Sequence, residues 1–372
     1  MNILFVVTNL NIGGAEVQVV NLSNSLISEK HNVTVCTLGK GGVLKDRLNS
    51  EISYYELGEG SNITIRKLVS LNRVIKQSNI QVIHSHLFKG DLMNYMTSLN
   101  REASPIRVST EHSSSSRRKK YKVFGLLQNI MYRRFHAITT ISEDVRTHTL
   151  NWSGVNKDKL VTIHNGTDME IRSSKEIVDK VQNKSSGRFV IGSIARLETR
   201  KDLETALKAI HYLVYTLKVT YIEYIIYGDG PEKEKLQHLV KQLSINKYVV
   251  FAGFHSNIKE VIDNIDLHIL TSKEEGFGIS IIETMARGIP NIATRTGGIP
   301  EILTDNIEGF LVECGDYQEI ANKINILMND SGKLIEFGIA SKERVEKKFT
   351  FSDTVSNILV LYNKIFTKND IS

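Results

Sequence analysis

The stretch Glu275-Gly276-Phe277-Gly278-Ile279-Ser280-Ile281-Ile282-Glu283 sets two carboxylates eight residues apart. A Gly-Phe-Gly turn follows the first carboxylate, and an apolar run carries the second. Upstream, Asp266-Leu267-His268-Ile269-Leu270 reads as a short buried strand. Downstream, Thr284-Met285-Ala286-Arg287 continues a helical pattern that Gly288 and Pro290 stop. The pair therefore straddles a strand–loop–helix junction. Free backbone N–H groups at such a helix start attract anions, phosphates above all. A carboxylate before the turn and one inside the helix can each hold hydroxyl groups of one ligand. Phosphate plus several hydroxyls describes a sugar nucleotide, although an ordinary βα junction with surface glutamates would carry the same letters.

Working outward, the chain alternates strand and helix signals. Residues 2–8, 32–38, 82–84, 107–110, 137–141 and 161–163 read as strands of the first half, with helices at 15–26 and 68–78. Strands restart at 189–194, 224–227, 249–251, 267–270 and 291–293. Repeated βα units imply parallel sheets covered by helices. The expectation is an α/β protein with two Rossmann-like domains facing a central cleft, ligands lying at the C-terminal ends of the strands. The boundaries read as residues 1–170, a polar linker at 171–187, a second domain at 188–348 and a terminal amphipathic helix within 349–372.

At 372 residues, 41% apolar and 24% charged, the composition is that of a soluble globular protein of two ordinary domains. Two cysteines, Cys36 and Cys314, argue against a disulfide framework or a structural zinc and fit a reducing cytoplasm. No leader peptide and no apolar run of about 20 residues is read, so a cytoplasmic location is expected. The net charge of +6 is uneven. Residues 104–134 hold eight basic side chains and one acidic one, Glu111, which leaves the rest of the chain at −1. The centre of this patch, Arg117 to Lys122, precedes the apolar Val123-Phe124-Gly125-Leu126-Leu127. Basic residues beside an apolar face suit the inner, anionic surface of a membrane; a solvated loop would present the same residues. No nucleic-acid motif is present, and nucleic acid is not expected as a partner.

The Glu275–Glu283 stretch resembles the signature of the family-4 (group 1) retaining glycosyltransferases, which have the two-domain GT-B fold. Its flanks agree: Ser272 before the turn, Thr284-Met285-Ala286 after it, then Gly288-Ile289-Pro290. The likeness runs from Asn2 to about Lys348. Asn11-Ile12-Gly13-Gly14-Ala15-Glu16 is similar to the family's Gly-Gly turn near the donor diphosphate and the acceptor. It is not a G-x-G-x-x-G dinucleotide fingerprint. Gly192 to Asp202 resembles the Gly-Arg-Leu element with a lysine five residues after the arginine. Arg196 and Lys201 would then converge on the diphosphate and stabilise the departing nucleoside diphosphate. The usual Pro-Glu before the lysine is absent and Ala195 replaces a common glycine, which leaves open whether Arg200 shares that task with Lys201. Gly228-Asp229-Gly230-Pro231 and Gly297-Gly298-Ile299-Pro300-Glu301 match turns near the donor.

The resemblance implies that Glu283 holds ribose hydroxyls and Glu275 a sugar hydroxyl. It implies that the backbone around Phe277, Gly278 and Ile279 binds sugar and phosphate, with Gly298 beside the donor. His86 is the favoured contact to the acceptor or transferred sugar, with His84 more buried and Glu111-His112 a weaker acceptor site. Without an Asp-x-Asp motif, no metal and no cofactor is expected. The implied activity is retaining transfer from a nucleotide-diphosphate sugar, a UDP-sugar, to a glycan or lipid-linked acceptor in polysaccharide or surface-glycan assembly. Another GT-B enzyme such as an epimerase, or a non-catalytic sugar-nucleotide-binding subunit, would share many of these residues.

Overall fold

The computed structural model describes residues 1–99, 105–115, 117–184 and 187–369, with backbone alone at Arg117, Lys120 and Asn369. The chain divides into two compact units, Met1–Asn165 with Ser352–Ser372, and Gly166–Phe351.

The first unit is a seven-stranded parallel sheet. Its strands are β1 (Asn2–Val7), β2 (Asn32–Thr37), β3 (Ser53–Glu56), β4 (Val82–His86), β5 (Ile106–Glu111), β6 (Ala137–Thr140) and β7 (Leu160–Thr162). Their spatial order is β3-β2-β1-β4-β5-β6-β7. Helices α1 (Gly14–Ser28), α2 (Ile65–Gln77), α3 (Leu87–Thr97), α4 (Lys122–Arg133) and α5 (Glu143–Ser153) make crossovers. Residues Ile3 to Val7 are all fully buried, as expected of a central parallel strand covered on both faces. Strand β3 escaped the sequence reading because it is an edge strand: Ser53, Tyr55 and Glu56 are exposed, so no apolar run marks it.

The second unit is a six-stranded parallel sheet. Helices α6 (Ser174–Gln182), α7 (Leu203–Tyr215), α8 (Lys233–Gln242), α9 (Ile258–Asp263), α10 (Ile279–Ala286), α11 (Ile299–Ile302), α12 (Tyr317–Asn329) and α13 (Ser331–Lys348) belong to it. Its strands are β8 (Phe189–Ile194), β9 (Ile222–Tyr227), β10 (Val249–Gly253), β11 (Leu267–Leu270), β12 (Asn291–Thr294) and β13 (Gly309–Val312), in the order β10-β9-β8-β11-β12-β13.

One boundary reading changes. The stretch 171–187, expected to be linker, contains α6 and belongs to the second unit. A reciprocal Ser173–Glu176 capping box starts this helix, and Ile177 is buried in a space left by the absent side chains of Gly288 and Gly338. The helix buries only that one residue, so its composition reads as polar. The terminal helix α14 (Phe351–Asn369) lies within the expected 349–372. From Ser352 onward it counts with the first unit, where Tyr362 is fully buried.

Candidate functional site

In each sheet one strand pair is adjacent in space but not in sequence: β1 with β4, and β8 with β11. Chain connections leave such a pair in opposite directions, which opens a crevice at the strands' C-terminal ends. The candidate residues of each unit follow these strands. Gly13 and Gly14 lie at the start of α1 after β1, and His86 ends β4. Arg196 and Lys201 follow β8, and Glu275 follows β11.

In the second unit the two loops are stitched together. Lys273 N–H donates to the Arg200 carbonyl at 2.8 Å, and Thr271 Oγ1 to the Asp202 carbonyl at 2.9 Å. Lys273 also pairs with Asp202 at 3.0 Å, a contact the sequence reading missed. Across this seam Lys201 Nζ forms an ion pair with Glu275 Oε2, and Ser272 Oγ donates to the same oxygen at 3.2 Å. The side chains of Lys201 and Glu275 are only 12% and 10% exposed, so solvent screens their attraction little, and removing either partner alone would leave an uncompensated buried charge. Among the described residues none donates a hydrogen bond to Glu275 Oε1. Arg196 takes a different partner. It is exposed and pairs with Glu198 at 3.1 Å, and Arg200 binds the other Glu198 oxygen at 2.8 Å. Lys201, not Arg200, therefore carries the cation against the acidic loop.

Two glycine turns hold this arrangement. Gly228 has φ +138°, and a Cβ there would sit 2.0 Å from the Ala195 carbonyl oxygen. Gly297 has φ +53°, and a Cβ there would sit 1.7 Å from the Glu275 carbonyl oxygen. The same carbonyl accepts from Gly298 N–H at 3.2 Å. The Gly297-Gly298 turn thus lies against the backbone of Glu275. Phe277 is 1% exposed and packs edge-on against Phe349, which anchors the turn leading into α10. Gly278 is the N-cap of that helix and Ile279 its first residue. A cavity of about 650 Å³ in this unit lies elsewhere: Lys180, Phe189, Tyr221 and Asp266, near the strands' N-terminal ends, line it, and no candidate residue does.

Glu283 projects from α10, and burial, with Asp168 nearby, raises its pKa to about 8. Unfolded, the same carboxyl would titrate near 4.5. A group with a raised folded pKa gives stability that is full below pH 4.5 and lost as pH rises towards 8. Each pKa unit is worth about 1.4 kcal/mol, so the loss is on the order of 5 kcal/mol. Glu283→Gln should remove this slope. The stability difference between variant and wild type, measured by urea melts from pH 4 to 9, should grow with pH and level off above about 8. Parallel curves would contradict the burial argument.

In the first unit the structure sorts the histidines: His84 is buried as expected, and His86 and Glu111 prove to be internal as well. His84 is fully buried, and both ring nitrogens are engaged, with Tyr362 Oη at 2.6 Å and Thr110 Oγ1 at 2.6 Å. It joins α14 to the sheet and is not available to an acceptor. His86, expected to touch substrate, is 2% exposed; its Nδ1 meets His112 Nε2 at 2.8 Å and its ring stacks on His84. Burial, then the neighbouring rings, holds its pKa well below the usual range, so it stays neutral. His86 Nε2 has no hydrogen-bond partner among the described residues, and His86 and His112 line a cavity of about 20 Å³, room for about one water and too small for a sugar. His112, half-buried, is the outward member of the pair. Its place right after a strand was the only sequence signal for it. Glu111 is also internal. Burial alone would raise its pKa, but Lys119 at 3.4 Å, Arg118 at 2.9 Å and the Tyr132 hydroxyl at 2.7 Å hold it at about 2.

Those contacts also correct the basic patch. Arg118 and Lys119, expected to face a membrane, point inward. Their side chains are 16% and 6% exposed, and Arg118 lies over the Phe88 ring at 4.7 Å. They neutralise Glu111, and they are charges of the interior. The side chains of Arg117 and Lys120 lie outside the described residues.

Comparison with known proteins agrees with this architecture. The family model "Glycosyltransferase Family 4" matches residues 12–171, and "Glycosyl transferases group 1" matches residues 174–344. The chain is 25% identical to an N-acetyl-alpha-D-glucosaminyl L-malate synthase of Bacillus anthracis, covering 95% of this chain and 94% of that protein. It is 26% identical to an alpha-1,4-N-acetyl-D-galactosaminyltransferase of Campylobacter jejuni acting on a diphosphoundecaprenol-linked glycan, covering 92% and 93%. Anabaena HepE, solved in complex with UDP-glucose, superposes with a TM-score of 0.83 at 21% identity, over 98% of this chain and 100% of that one. The two doubly wound domains are those of the GT-B fold. The chain belongs to the group 1, family-4 glycosyltransferases.

Proposed function

We propose that this glycosyltransferase moves a sugar from a UDP-sugar to a glycan or lipid-linked acceptor, with retention of configuration and without a catalytic metal. The observation that carries the reading is the buried Lys201–Glu275 pair at the β8/β11 switch point. Lys201 has ammonium hydrogens left for phosphate oxygens, and Glu275 Oε1 is placed to accept a hydroxyl of the donor sugar. The backbone amides of Gly278 and Ile279 at the start of α10 favour an anion. Glu283 accepts the ribose hydroxyls and Gly298 lines the donor site. Arg196, exposed, swings from Glu198 to the diphosphate.

In the step itself the bond from the sugar C1 to the diphosphate oxygen breaks. The acceptor oxygen bonds to C1 on the same face, and its proton passes to the departing phosphate oxygen. Lys201 and Arg196 compensate the charge that gathers on the diphosphate, so they act more in the transition state than before it. On the acceptor side, Gly13, Gly14 and His112 form the surface, with His86 fixing the His112 ring. The relatives' names, with a sugar nucleotide in one complex and a polyprenyl diphosphate glycan in another substrate, support a role at the cytoplasmic side of surface-glycan assembly.

A thermal-shift screen tests the donor. UDP and its cognate UDP-sugar should raise the melting temperature, and ADP and GDP should not. Ligand at a hundred times its Kd stabilises by about 2.7 kcal/mol. A shift with ADP or GDP alone would overturn the choice of base. Proton resonance of the product's anomeric centre decides retention, and undiminished turnover in EDTA is the expected result for metal independence.

A further inference from the structure

Asp202 is the residue after Lys201 and the N-cap of α7. Its backbone is left-handed, with φ +47° and ψ +44°, a conformation that glycine adopts freely and aspartate tolerates. It is also 6% exposed. A backbone requirement alone would favour glycine here, so the buried carboxylate needs another explanation. Capping does not supply it. An N-cap aspartate ordinarily accepts from a backbone N–H of the first helical turn, and the Asp202 side chain makes no such bond.

Its two oxygens reach two different elements instead. Oδ2 accepts from Thr205 Oγ1, in the first turn of α7, at 2.7 Å, and Oδ1 pairs with Lys273 Nζ, in the loop after β11, at 3.0 Å. The backbone beside it is tied to the same loop. Thr271 Oγ1 is shared between the Lys201 and Asp202 carbonyls at 3.2 and 2.9 Å, and Lys273 N–H donates to the Arg200 carbonyl at 2.8 Å. From its far side the loop is held by Thr294 Oγ1 on the Ser272 carbonyl at 2.6 Å and Thr296 Oγ1 on the Lys273 carbonyl at 2.9 Å. The Asp202–Lys273 bridge therefore braces the turn that presents Lys201 against the loop that presents Glu275. We propose that Asp202 is a positioning residue for the transfer step: with Thr205 and Lys273 it clamps the Lys201 turn to the Glu275 loop, and it touches no substrate itself. Lys201 compensates the charge gathering on the diphosphate only while its Nζ keeps its place, and a shift of about 1 Å in such a group can cost roughly a hundredfold in rate. This inference rests on the assignment of Lys201 to the diphosphate.

The test compares Asp202→Gly, Asp202→Asn and Lys273→Ala in the full chain. The donor is the UDP-sugar that gives the largest thermal shift, the rate is UDP release, and each variant is assayed well below its melting temperature. Asp202→Gly keeps the left-handed backbone and removes the clamp. Its kcat should fall about ten- to a hundredfold. The donor KM and the Kd for UDP, by calorimetry, should change by less than about threefold, as for a contact that matters in the transition state. Asp202→Asn can still accept from Lys273 and donate to Thr205, so its kcat should return to within about fivefold of wild type. Lys273→Ala should lower kcat as Asp202→Gly does, and the two together should lose little more than either alone. If Asp202→Gly does not fold, Lys273→Ala, a change at an exposed side chain, carries the comparison. Wild-type kcat in folded Asp202→Gly or Lys273→Ala, with only the melting temperature lowered, would overturn the proposal. So would a loss confined to KM and UDP affinity, an Asp202→Asn no better than Asp202→Gly, or fully additive losses in the double variant. Full activity in Lys201→Ala would instead refute the diphosphate assignment beneath it, whereas an inactive Lys201→Ala beside a fully active Asp202→Gly would refute the clamp alone.

Discussion

Lys201→Ala is expected to cut transfer by roughly a hundred- to a thousandfold in kcat/KM, the usual cost of removing a group that stabilises developing charge. It should also lower folding stability by about 3–5 kcal/mol, because Glu275 would remain buried without its cation. These effects have different origins and can be separated. In Lys201→Met combined with Glu275→Gln, no uncompensated charge is buried, so stability should return to within about 1–2 kcal/mol of wild type. Transfer should remain as low as in the single variant. Denaturant melts and initial rates with the cognate donor check both statements. If the double variant regained activity along with stability, Lys201 would be a structural cation and the diphosphate assignment would fail.

Gly297→Ala should have the second largest effect, although it adds one methyl group. The residue sits at φ +53°, where an L side chain costs about 1–2 kcal/mol, and the new Cβ would lie 1.7 Å from the Glu275 carbonyl oxygen. Backbone cannot yield as a flexible side chain can, so relief must come from moving the Glu275 loop. The expected loss is about 2–5 kcal/mol of stability from strain and overpacking together. The nucleotide-sugar thermal shift should shrink or vanish, because the displaced loop carries both Glu275 and the entry to α10. A useful control is Gly315→Ala. Gly315 also has positive φ, but no atom lies within 4 Å of its would-be Cβ, so only the backbone cost should appear. Equal losses at the two sites would mean that contact with Glu275 contributes nothing.

The segments proposed for the site are short stretches of contiguous chain. The Glu275–Glu283 segment, the Arg196–Lys201 loop and the Gly13-Gly14 turn each carry their chemistry within about ten residues, and each falls after the strand expected of it. The histidines were harder. His84 lies within β4, His86 ends it and His112 follows β5, and nothing in their letters says that Tyr362, some 280 residues away, takes one ring while His112 takes another. The basic patch divides for the same reason: Arg118 and Lys119 turn to Glu111, whereas Lys122 is exposed. A run of cations looks solvent-facing until the acid it neutralises is located, and Glu111 reaches Arg118 and Lys119 only because β5 and the turn before α4 fold onto each other.

By itself the sequence determined the α/β alternation, the two sheets and the family. Apolar runs of four to six residues between glycine turns leave few alternatives to buried parallel strands, and that signal is local. Tertiary structure alone decided which charges are buried and which partners they take. Burial and pairing depend on what distant segments bring: Glu275 acquires Lys201 from another strand's loop, α6 gains stability from a gap between two glycines, and α4 is left with an apolar face because no other segment among the described residues covers it. Periodicity records which residues can be buried, whereas the choice of partner is a property of the packed chain.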